Sequence, residues 1–162
     1  MALNTSPLMT ATEIIETYRH SVVGPFLHRY GRFFAPQQLP SIYRRGAFRA
    51  CFKNSYRMAL RHPVIYVEGL GIANPEVPVG QLHAWCIDEF GRVLDRTWGR
   101  PGAVYFGIPF RTDYLRDVID ERSPKGDCYF GLLDDHEAGF PLIRNLGDKP
   151  GRWMAESPGY VE

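Results

Sequence analysis

Apolar positions along the chain change their spacing twice. In the first third they recur at helical intervals: Ile14, Ile15, Tyr18 and Val22 follow Thr10 and Thr12, either of which can cap a helix start. Gly24-Pro25 is expected to break that helix, and "FLHRYGRFF" to add another turn or two. "APQQLPSIYRRG" is a proline-marked connection. In "ACFKNSYRMALRH", Cys51, Phe52, Ser55, Met58, Ala59 and His62 fall on one face and Lys53, Arg57 and Arg61 on the other. Arg45 and Arg49 extend the basic series backwards, and Pro63 ends the helix. This places Cys51 in the first turn, pointing to the core side.

From there the period shortens to two. "VIYVEGLGI" reads as a strand, "ANPEVPVGQ" as a loop, "HAWCID" and "RVLDRTW" as a hairpin and "AVYFGIPF" as a further strand. "DYLRDVIDER" returns to helical spacing, with Tyr114, Leu115, Val118 and Ile119 inward. "KGDCYFGLL" is expected to hold at most one more strand before an irregular tail. Helices followed by antiparallel strands predict an α+β fold. The length fits one domain over 1–162, with a core over 46–110, an N-terminal helical segment over 10–34 and a C-terminal helix and tail over 111–162.

Composition narrows the classes. An apolar share of 44% and an aromatic share of 14% fit a folded globule, while 16 glycines and 13 prolines argue against a bundle of long helices. A net charge of +1 disfavours nucleic acid as a partner. Cys51, Cys86 and Cys128 form no CxxC pair, which points to reduced thiols in a cytoplasm rather than disulfides or zinc. The N-terminus lacks a signal-peptide pattern, and no apolar run approaches the roughly 20 residues that span a bilayer, so no membrane association is expected. "DDHEAG" offers ligand atoms, but consecutive residues converge only in a tight loop. It reads as a solvated acidic loop, and no metal or cofactor is expected.

The candidate chemistry lies in the hairpin. If Glu89-Phe90-Gly91 form a three-residue loop with Gly91 left-handed, Asp88 faces Arg92, Trp85 faces Asp95 and His83 faces Thr97. His83, Trp85, Asp95 and Thr97 then share one side, with His83 and Asp95 diagonal neighbours. An aspartate beside a histidine fixes its tautomer and stabilises the imidazolium. Cys51 is the nucleophile this pair lacks: the start of a helix and a nearby imidazolium both favour a thiolate, and backbone N–H groups there can hold an oxyanion. Asn54, one turn on, is a candidate substrate contact. Cys86 and Cys128 read as structural.

The order of a helix-borne Cys51, a strand opening "HAW" at His83 and a strand carrying "DRTW" at Asp95 resembles the transglutaminase-like branch of the papain-like fold. "YVEGLG" matches the strand that branch has between its cysteine helix and its histidine. The resemblance covers roughly 46–110. It implies a Cys-bearing helix packed on a twisted antiparallel sheet, and a Cys51–His83–Asp95 triad that forms a thioester from an amide. The outcome is a peptidase, amidase, glutamine deamidase or transglutaminase acting on a protein or peptide. Trp85 is expected to wall the site, and Gln37, Gln38 and Tyr43 are candidate oxyanion or substrate partners upstream of the cysteine. No calcium-site sequence is visible, so a compact cysteine hydrolase is a closer match than the calcium-dependent cross-linking enzymes. The alternative is a catalytically silent accessory, an inhibitor or effector, that docks on an acidic protein through Arg49, Lys53, Arg57 and Arg61.

Overall fold

The computed structural model describes residues 10–123, 125 and 130–157. Cys128 lies outside them, with residues 126–129 of the stretch in which a last strand was expected; the described Phe130 to Leu133 form none. Helix α1 (Ala11–Ile15) starts with a reciprocal cap: Thr10 Oγ1 accepts from the Glu13 amide, and the Glu13 carboxylate accepts from the Thr10 amide at 2.6 Å. A tight helical turn, Glu16–Tyr18, follows it. Gly24-Pro25 does not break a helix but lies in the first turn of the next one, α2 (Val23–Tyr30). Proline is tolerated there because its missing N–H has no intrahelical partner to lose.

"RFF" is not helical either: it forms β1 (Arg32–Phe34). Helix α3 (Cys51–Arg61) begins at the cysteine itself, and His62 lies beyond its end, exposed. Its buried side chains are Asn54, Ser55, Tyr56, Met58 and Ala59. Arg45 and Arg49 lie before the helix, and Arg49 has a left-handed φ of 61°, so the basic stripe does not run along one helix face. Strands β2 (Ile65–Ile72), β3 (Gln81–Ile87), β4 (Val93–Leu94) and β5 (Val104–Phe110) precede α4 (Thr112–Arg122).

The five strands form one antiparallel sheet in the order β1-β5-β2-β3-β4. The sheet is curled. Ala35, one residue past β1, bridges to Arg92, one residue before β4, and its carbonyl accepts from the Val93 amide at 3.0 Å. The two ends of the sheet thereby meet. Side chains alternate between faces, so the curl creates two cores. Inside it lie Phe34, Val67, Trp85, Ile87, Val93 and Tyr105. Outside, α2, α3 and α4 pack Leu27, Met58 and Leu115 against Tyr66, Cys86 and Ile108.

Glycines in the strands make the inner core possible. A Cβ on Gly107 would stand 2.8 Å from the Trp85 indole, and one on Gly71 2.6 Å from that of Trp98. "EGLG" and "YFG" therefore leave room for two indoles on the concave side.

The chain after α4 is latched to the sheet by a buried carboxyl. Glu68 on β2 accepts from the Tyr66 hydroxyl at 2.6 Å, the Leu132 amide at 2.6 Å and the Leu133 amide at 3.0 Å. Burial pushes this carboxyl up to about 7, against the pull of those three donors. Further on, Trp153 is fully buried and its Nε1 donates to the Leu146 carbonyl at 2.7 Å. Among the described residues no helix is long and apolar enough to cross a membrane.

Candidate active site

The hairpin has the register its turn residues imply. Gly91 is left-handed with φ 75°, the Asp88 amide donates to the Arg92 carbonyl at 3.1 Å, Ile87 pairs with Val93 and Cys86 with Leu94. The Asp88 carboxylate accepts from the Phe90 and Arg92 amides, which fixes the turn. Beyond Leu94 the expected strand does not continue. Asp95 turns the chain instead, its Oδ1 accepting from the Thr97 amide at 2.8 Å and the Trp98 amide at 3.2 Å. An aspartate competing with the ladder in this way ends a strand.

That turn aims Oδ2 of Asp95 at the next strand, where it lies 2.8 Å from Nε2 of His83 and accepts from the Tyr105 hydroxyl at 2.9 Å. Tyr105 in turn accepts from the Gly102 amide at 2.9 Å. Both His83 and Asp95 are 4% exposed. Cys51 lies close enough to His83 that its side chain also raises the imidazole. Asp95 engages Nε2, so Nδ1 is the ring nitrogen that the carboxylate leaves open. The structure thus brings Cys51, His83 and Asp95 together.

The electrostatics follow from these contacts. Burial alone would push the His83 imidazole down, but hydrogen bonds and charge from Asp95 and Cys51 hold it up at about 9. Burial would push Asp95 up, yet His83 and the two turn amides keep its carboxyl below the usual range. Burial, and then the charge of Asp95, raise the Tyr105 phenol, so it stays a hydrogen-bond donor.

The side chain lying on the imidazole is Trp98, which was not singled out in the sequence. The two rings stack with centroids 4.0 Å apart and planes within 6°. Trp85, expected to wall the site, is instead fully buried beneath it in the inner core, where its Nε1 has no partner. Asn54 is 6% exposed and works on the protein's own backbone. Its Oδ1 accepts from the Ala47 amide at 3.1 Å, and its Nδ2 donates to the Ala47 carbonyl at 2.8 Å and to Thr97 Oγ1 at 3.0 Å. One side chain therefore ties the segment before Cys51 to the turn that carries Asp95. Gln38 is an exposed loop residue, Gln37 reaches the Asp88 carboxylate at 3.5 Å, and Tyr43 packs edge-on against His62 at 5.1 Å.

Cys51 is part exposed, whereas Cys86 is fully buried with its Sγ 3.2 Å from the Ser55 carbonyl. Burial drives the Cys86 thiol up. Phe52 and Leu82, the chain neighbours of Cys51 and His83, line a cleft of about 500 Å³ together with the acidic loop of Asp134 to Glu137. In that loop Asp135 is buried and ion-paired to Arg122. Among the described residues no three His, Cys, Asp or Glu side chains gather as a metal site.

The chain matches no family model, and neither a curated protein nor a solved structure matches it.

Proposed function

We propose that the protein carries out acyl transfer from an amide through a Cys51–His83–Asp95 triad, on a papain-like variant of the α+β fold. The observation that supports this reading is one buried imidazole influenced from two residues, held by Asp95 at Nε2 and raised as well by the nearby Cys51. Cys51 Sγ attacks the carbonyl carbon as thiolate; the C–S bond forms and the carbonyl electron pair moves to oxygen. Ala50, the N-cap, has no polar side chain to occupy the first amides of α3, and the Cys51 N–H donates to that oxyanion. His83 gives its proton to the departing nitrogen as the C–N bond breaks, leaving a thioester and neutral imidazole. A water or an amine then attacks the thioester, passes its proton to His83, and the thiolate leaves. Asp95 orients the ring and stabilises its charge throughout.

The test is the pH dependence of iodoacetamide alkylation at each cysteine, followed by peptide mass spectrometry. Cys51 should react fast below neutral pH and Cys86 not at all in the folded protein. His83→Ala and Asp95→Asn should remove the advantage, with circular dichroism reporting whether each variant stays folded. Equal, slow reaction at Cys51 in wild type and folded variants would leave only the silent accessory reading.

A further inference from the structure

Three local choices just before Cys51 run against the protein's own stability. Phe48 is 80% exposed, although the loop around it is well anchored. Ala47 is held on both its amide and carbonyl by Asn54, the Gly46 amide donates to the Arg96 carbonyl at 2.8 Å, and Arg96 Nε donates to the Arg44 carbonyl at 2.5 Å. Arg49 occupies the left-handed region at φ 61°, in a turn closed by the Ala50 amide on the Ala47 carbonyl at 3.3 Å. Glycine is the usual residue at that corner, and a side chain there is strained. Ala50 then stands at an N-cap where Ser, Thr, Asp or Asn is preferred. Strain and exposure held by a rigid frame are a mark of a contact surface.

The charge along the chain on either side of this turn is one-sided. Between Glu16 and Glu68 the chain has no aspartate or glutamate. Arg44, Arg49, Arg57 and Arg61 are exposed, and among the described residues no carboxylate is ion-paired to them. The net charge of +1 conceals this, because 16 of the 18 acidic residues follow Val67. Phe48 precedes Cys51 by three residues, so its Cα lies within about 11 Å of that of the nucleophile.

We propose that the Ala47–Ala50 turn is the acyl-donor subsite, and that it takes a peptide with an apolar residue beside the reactive amide and acidic residues next to it. Phe48 is the apolar platform, and its ring already carries the Arg49 guanidinium 5.6 Å from the centroid. Arg49 and the arginines behind it meet the acidic residues. This rests on the acyl-transfer reading above. A peptide is favoured over nucleic acid because the reaction needs an amide carbonyl, and because the basic patch is local rather than global.

The test uses the full chain and three peptidyl chloromethyl ketones. One carries Glu-Asp before a leucine, the second Lys-Arg before the leucine, and the third Glu-Asp before a glycine. Inactivation rates at Cys51 are divided by the iodoacetamide rate of the same protein, which removes any change in the thiol itself. In wild type the acidic leucine probe should exceed both others by about tenfold. Phe48→Ala should abolish the leucine-over-glycine preference, and Arg49→Gly, which suits the backbone there, should cut the acidic-over-basic preference about threefold to fivefold. Equal normalised rates for the three probes overturn the subsite. So does protection of Cys51 by homopolymeric RNA at concentrations where the acidic peptide gives none. If Cys51 fails to react even with iodoacetamide, the acyl-transfer reading falls and takes the subsite with it.

Discussion

The two halves of the candidate site are built on opposite plans. His83 and Asp95 sit at the mouth of the inner core, nearly inaccessible, with the carboxylate fully engaged by two amides, a tyrosine and the imidazole. Cys51 sits part exposed at an uncapped helix start, after a strained turn and an exposed phenylalanine. A base must be held in one tautomer and orientation, which calls for satisfied polar partners in a dry setting. A nucleophile must be reached, which calls for open backbone groups and tolerates local strain. On the proposed acyl-transfer reading, the contrast divides labour between a hairpin that fixes and a helix end that would meet substrate.

The largest test of this contrast is Asp95→Asn. It keeps the shape of the turn but loses the charge and the tautomer control, so acyl transfer should fall by about 10²–10⁴-fold. Single-turnover release of an amine from a peptide amide measures it, and a loss under fivefold would mean that Asp95 only shapes the turn.

Next comes the pH dependence of stability. His83 is raised above its unfolded value of about 6.5, so its contribution is complete below that pH and is lost as pH rises through about 9. Glu68 is also raised, so its contribution is lost between the ordinary glutamate range and about 7. Asp95 is lowered, and its contribution is present above about 4 and lost as pH falls through its lowered folded value. Urea midpoints from pH 4 to 9, below the range in which the raised Cys86 thiol contributes, should therefore fall in two steps. His83→Gln should remove the upper step and Glu68→Gln the lower. A single step, or steps insensitive to these changes, contradicts the assignments.

A smaller effect compares two glycines. Gly71→Ala pushes a methyl into Trp98 and should cost about 2 kcal/mol. Gly151→Ala meets open space and should change stability by less than about 0.5 kcal/mol. Smallest of all, Arg49→Gly should not destabilise the fold, and any gain should stay below about 1 kcal/mol, because relief at φ 61° is offset by a more flexible unfolded chain. A clear loss on chemical denaturation would mean the turn is not strained.

Much of this was legible from local chemistry. The Thr10–Glu13 cap, the start of α3 and the hairpin register all follow from short-range rules, and Gly91 alone decides whether His83 and Asp95 can meet. What stayed hidden depends on the curl of the sheet. Period-two alternation says that His83 and Trp85 share a face, but not that the face closes on itself, with Trp85 inside and Trp98 above the imidazole. The glycines at 69, 71 and 107 were the available signal, since each lies on a strand facing an indole or a tight backbone approach. Tyr105 was hidden for the same reason: its partner Asp95 lies in the turn after β4, which is not a neighbour of β5 in the sheet. Arg49 read as helical because charge spacing carries no information about φ.

The Glu68 latch has a consequence for how the chain comes to be folded at all. Its bond to the Leu132 amide joins residues 64 apart, so during synthesis β2 exists well before its partners leave the ribosome. Until then the carboxyl is in water and ionised at neutral pH. Closing the latch removes it from water, and with a folded value of about 7 that step takes up a proton over the range in which the free carboxyl has lost its own. Long-separation contacts already form late. Here the late step is also coupled to the proton supply, so refolding should slow as pH rises from the ordinary glutamate range towards 7 and level off above it, while the α3–sheet core assembles at an unchanged rate.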